Sequence, residues 1–259
     1  MNIFNQQINL NVEQELLIET IQELALPFVQ QFEQLRESLL IAFSNAETDS
    51  DFNKNHALRE WLFAVMVTYK ELETSIIYGA SKKSTEMHGI WYDDAFNQSF
   101  YDAPCSFFAN QSVSLAFSLG EKTAQLINIF ENINMEVKKV SLFKLSDDNE
   151  ITRLISPNVP SYKESKSHGY LKEIVSLLEP LKEIRHSKAH RLDSELATVK
   201  TTVHEGLKND TEPITIVMSH IDIDRLPITP SQTIDRTKTF FELVTKVLDD
   251  IFNNIIEKL

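Results

Sequence analysis

Apolar residues recur at three- and four-residue intervals over most of the chain, which is the period of one face of an α-helix. Five segments carry it. Residues 10–44 place Leu17, Ile21, Leu24, Phe28, Leu35 and Leu39 on one stripe, with Pro27 expected to bend or interrupt the helix. Residues 56–79 carry Leu58, Leu62, Val65, Tyr69, Leu72 and Ile76 and stop near Gly79. Residues 105–134 carry Phe108, Leu115, Leu119, Leu126 and Phe130, and residues 168–196 carry Leu171, Ile174, Leu178, Leu181, Leu192 and Leu196. Residues 233–258 close the series with Phe241, Val244, Leu248, Ile251 and Ile255. Each stripe needs a partner. The economical arrangement is an all-α fold, an antiparallel bundle of about five long helices forming one domain over residues 1–259.

Three stretches break the pattern. Residues 85–105 form an aromatic-rich loop whose Trp91, Phe96, Phe100 and Tyr101 are read as pinning it to the bundle; stacking on bases is the other reading. Residues 141–165 are polar, contain Pro157 and Pro160, and read as a connector. Residues 199–226 have β-branched runs around "KNDTEP", the pattern of a hairpin appended to the bundle, so 199–230 is set apart as an insertion.

Composition supports a packed core: 42% of residues are hydrophobic and only 5 are glycine. The single cysteine, Cys105, excludes an intramolecular disulfide and any multi-cysteine zinc site. The opening "MNIFNQQINLNVEQE" has neither the basic start nor the apolar run of a signal peptide, and no membrane-spanning run occurs. The expectation is a cytoplasmic protein with no membrane partner.

The net charge of −13 argues against broad binding to nucleic acid, but the charge is uneven. Residues 1–60 hold Arg36, Lys54 and Arg59 against ten acids. The run 182–191 holds Lys182, Arg185, Lys188, Arg191, His186 and His190 against Glu183 alone. On a helical wheel Arg185 falls inside the apolar sector, with His186 and His190 on its border. A cation facing a core is costly unless paired. The uncatalytic readings are an ion pair with Glu73 or Glu121, or favourable charge at a helix C-terminus from His190 and Arg191. A metal site of His186, His190 and Asp193 has helical spacing in its favour. The chemistry these groups suit best is phosphodiester cleavage. Histidine exchanges protons near neutrality, and arginine's fork matches charge building on phosphorus.

The six residues "RHSKAH" (185–190) resemble the signature of the HEPN superfamily, the higher eukaryotes and prokaryotes nucleotide-binding domains: arginine, a polar residue, three variable residues, histidine. The setting on a late helix is similar, and "FSLGEKTAQLINIF" (117–130) resembles an earlier helix of stand-alone bacterial members. The resemblance implies a helical bundle acting as a metal-independent endoribonuclease, a toxin or phage-defence effector. Two copies would face one RNA cleft, and no cofactor or metal would be needed. It gives Arg185 and His190 the catalytic places and His186 the polar one. Glu121 and Lys122 either support that cleft or simply line the bundle, and Lys188 and Arg191 add local charge. An antitoxin or defence-system partner protein fits the same class. Leu192 stands where toxins controlled by a nucleotidyltransferase antitoxin often carry tyrosine, which argues against that form of control. The alternative is a non-catalytic helical module that binds RNA, a nucleotide or a protein through the same surface.

Overall fold

The computed structural model describes residues 12–80, 104–157, 159–190, 199–208, 212–221 and 230–259. Five long helices dominate: α1 (Val12–Ser44), α2 (Asp49–Gly79), α3 (Pro104–Phe130), α6 (Lys166–His190) and α7 (Pro230–Ile256). Two short ones, α4 (Leu142–Ser146) and α5 (Asp148–Glu150), lie between α3 and α6.

Where they are described, the stripes read from sequence form the core, with Phe108 half-buried; Leu17, Leu24, Leu192 and Leu196 lie outside the described side chains. Leu58, Leu62, Val65, Tyr69, Leu72 and Ile76 of α2 are all buried, as are Phe241, Val244, Leu248, Ile251 and Ile255 of α7. Consecutive long helices run antiparallel. Tyr78 stacks on Phe108 while Lys122 bonds to Thr68, which fixes α2 against α3. Lys166 pairs with Glu257 while Arg236 reaches Pro180, which fixes α6 against α7. Helix α3 is central and packs on α2, α6, α7 and α4. Its buried set therefore spreads beyond one stripe to include Leu115, Ala116, Phe117, Leu119, Ala124 and Ile127.

Polar groups inside the bundle are bonded across helices. The Tyr69 and Thr245 hydroxyls share a hydrogen bond of 3.0 Å, and Ser112 donates to Thr237 at 3.1 Å. Burial pushes the Tyr69 hydroxyl pKa well up; the Thr245 bond opposes that and the Glu73 charge adds to it.

Two prolines lie inside long helices: Pro27 does not interrupt α1, and α6 contains Pro180. A proline inside a helix forfeits one backbone bond and costs about 3 kcal/mol. Continuous burial on both sides outweighs this, by Ile21 and Phe28 in α1 and by Leu178, Leu181 and Ile184 in α6.

Residues 141–165 are also more than a connector. Ser141 caps α4, and Asp147 caps α5 by accepting from Asn149 and Glu150. Val140, Leu142, Leu145, Ile151, Ile155 and Tyr162 are buried, and the Tyr162 hydroxyl donates to the Leu145 carbonyl at 3.0 Å. The segment makes successive short turns, two of them capped by Ser141 and Asp147, so its apolar residues never acquire a long helical period.

The hairpin is present. Strand β1 (Val199–Lys208) pairs antiparallel with β2 (Glu212–Ile221), with Val203 opposite Val217. Residues 81–103, with the four aromatics of the 85–105 loop, lie outside the described residues. Among the described residues no helix is long and apolar enough to cross a membrane.

Candidate nucleic-acid site

The position of α6 is set by a close approach. A Cβ on Gly120 would sit 2.7 Å from Leu142 Cδ2 and 3.3 Å from both Ile174 Cγ2 and Leu178 Cδ1. Glycine there lets α3, α4 and α6 meet almost backbone to side chain. Glu121 strengthens the junction: its Oε2 accepts from the Leu142 amide at 2.9 Å, at the start of α4. The next residue, Lys122, donates to the Thr68 hydroxyl of α2. Both residues thus serve the packing of the bundle, as the bundle-lining reading has it.

About two to three turns further along α6, Arg185 lies over the ring of Phe117, with Cζ 4.3 Å from the ring centroid. Phe117 is 4% exposed, whereas Arg185 is exposed. The arginine shares the angular sector of Leu178 and Leu181 but emerges beyond the edge of the packed layer. Its charge is met by an aromatic face, worth about 0.5–1 kcal/mol at an exposed site. The core ion pair does not form with either acid considered for it. Glu73 holds Lys70 at 2.7 Å, and Glu121 is engaged as above.

The backbone of α6 is helical through His190; the side chains of His186, Lys188 and His190, and all of Arg191 and Asp193, lie outside the described residues. The helix still fixes their positions. Leu171, Ile174, Leu178, Leu181 and Ile184 define the buried face. At about 100° per residue, positions 186 and 190 fall roughly 120° and 160° from the centre of that face. Arg185 falls about 20° from the centre, so the two ends of the signature diverge on one helix.

A residue that the sequence did not single out completes the area. Arg236 of α7 is exposed and donates through Nη1 to the Pro180 carbonyl at 3.1 Å. Nothing in the local sequence marks it, because the contact depends on how α7 crosses α6. Lys182 is exposed and only loosely paired, with Glu179 at 3.4 Å. Among the described residues no group of three or more His, Cys, Asp or Glu is arranged to hold a metal.

Comparison with protein-family models, with curated proteins and with solved structures finds no match to this chain. The functional reading therefore rests on the chemistry of these residues.

Proposed function

We propose that the protein is a metal-independent endoribonuclease of the HEPN type, a cytoplasmic toxin or phage-defence effector working as a homodimer on RNA. The observation that carries the reading is the state of Arg185: an exposed guanidinium, at the start of an Arg-His-x3-His run on a late helix, held by an aromatic face. A ring contact is made through the cation's charge and does not use up its N–H donors as a carboxylate would. The five N–H donors radiate in the guanidinium plane and stay available to phosphate oxygens. A core carboxylate would have consumed both the fork and the charge.

In this scheme His190 takes the proton from a ribose 2′-hydroxyl, or returns one to the leaving 5′-oxygen. The attacking oxygen bonds to phosphorus as the 5′-oxygen bond breaks, leaving a 2′,3′-cyclic phosphate and a 5′-hydroxyl. Arg185 meets the extra negative charge on the phosphoryl oxygens, and His186 positions the phosphate. Since positions 185 and 190 diverge by about 140° on one helix, a second copy supplies the complementary member to the shared cleft. A symmetric dimer does this with the same patch twice. The alternative is a non-catalytic module. The specific observation in its favour is that the Arg185–Phe117 contact is complete as a structural anchor without any substrate.

The discriminating experiment is incubation of purified protein with single-stranded RNA in excess chelator. The proposal expects cleavage there, and expects His190→Ala or Arg185→Ala to lower it by about 10²–10⁴-fold. Retention of RNA binding without any cleavage by the wild type would favour the module.

A further inference from the structure

We propose that Arg236 is a second phosphate-binding residue, which with Arg185 grips the backbone of a single RNA strand laid across the C-terminal half of α6. The inference rests on the ribonuclease reading above and adds a residue from a different helix to its substrate grip.

The first ground is electrostatic. On a chain of net charge −13, several exposed cations are held by carboxylates. Arg36 holds Glu33 at 2.6 Å, Arg153 holds Glu150 at 2.8 Å, and Lys172 holds Asp148 at 3.2 Å. Arg185 and Arg236 differ. Among the described residues, their partners are a ring and a main-chain carbonyl, which fix each guanidinium and leave its charge uncompensated. Such a pair on an acidic surface is a local site for anions.

The second ground is geometric. Arg236 spends one N–H on the Pro180 carbonyl and keeps four. Both side chains are held before any ligand arrives, so less rotamer freedom is lost on binding. Their anchor points on α6, residues 180 and 185, are about 7.5 Å apart along the helix axis. They are also about 140° apart around it, so the phosphates the two hold are not neighbours in the strand but lie on different sides of α6. Arg185 projects from α6 over Phe117 of α3, and Arg236 reaches α6 from α7, so a strand touching both runs over the C-terminal half of α6. The loosely paired Lys182 lies between the two anchor points in sequence.

The test uses the full chain carrying His190→Ala, which prevents turnover, and a short fluorescein-labelled single-stranded RNA of mixed sequence. Affinity is read by anisotropy over a series of salt concentrations. Each phosphate contact to a single strand contributes about 0.7 to the slope of log affinity against log salt. Adding Arg236→Gln should weaken binding several-fold at low salt and flatten the slope by about 0.7. Arg236→Lys, which keeps the charge, should retain the slope. Circular dichroism and the melting temperature should hold in both. An unchanged slope with Arg236→Gln overturns the inference. So does weaker binding at constant slope, since that is the signature of a prop for α6 and not of a phosphate contact. If the wild type cleaves RNA while Arg236→Gln leaves affinity and slope untouched, Arg236 alone is excluded. If the wild type neither cleaves nor binds RNA at low salt, both readings fall.

Discussion

Arg185 and Phe117 form the residue pair on which the site depends. The ring supports the cation without neutralising it, so each should be sensitive to a different change. Arg185→Lys keeps the charge but loses the planar fork, and cleavage should fall nearly as far as with alanine. Phe117→Leu keeps most of the buried volume and removes the π face. It should cost about 0.5–1 kcal/mol beyond any packing loss, with a smaller loss of cleavage than Arg185→Ala; melting and turnover measured on the same samples separate the two effects. A second residue-scale expectation concerns Asp249, whose carboxyl pKa is raised by partial burial and then by neighbouring Asp250. A carboxyl whose pKa is higher when folded favours the native state below its unfolded pKa, and that advantage is lost as pH rises through the folded value. Asp249→Asn should therefore raise the melting temperature at neutral pH, and the gain should vanish in acid. A gain that persisted undiminished in acid would contradict this linkage. The orphaned, buried Oδ1 of Asp249 fits the same account.

At the scale of elements, the long helices were legible because each buries one stripe for many turns. The stripe on α2 is buried at every one of the six positions named from the sequence. The hairpin was legible from β-branched runs flanking a polar turn. The layer at 141–165 was not, since a turn of five residues cannot show a 3.6-residue period even when its caps, Ser141 and Asp147, are in plain view. Pro27 does not interrupt α1, because that local rule is outweighed by burial on both sides. Gly120 is the element-scale test. Gly120→Val should drive the added methyls into Leu142, Ile174 and Leu178 and destabilise the protein by about 1–3 kcal/mol, the usual cost of overpacking. It should also lower cleavage by displacing α6, although no atom of Gly120 belongs to the site. A variant as stable and active as the wild type would show that α6 is positioned elsewhere along its length.

For the whole molecule, the bundle was legible in the sequence, but only the α6 part of the proposed site was. Arg185 and the histidine positions were visible as a motif; Arg236 was not, because its relation to Pro180 exists only once α7 lies on α6. In the proposed scheme the divergence of positions 185 and 190 on one helix requires two copies to form one cleft. Sedimentation at micromolar concentration should report a dimer, and dilution below its dissociation range should lower specific activity in step. Monomer mass at full activity would rule out the shared cleft.

The central claim is transesterification by this protein's own side chains, with the ribose 2′-hydroxyl as nucleophile. It is tested most directly by an RNA cut at a mapped bond, remade with a single deoxyribose immediately 5′ of the scissile phosphate. The account predicts that cutting stops at that bond alone, continues at other bonds in excess chelator, and leaves 2′,3′-cyclic phosphate ends on every product. Cleavage at the deoxyribose, or a requirement for a divalent ion, would contradict it.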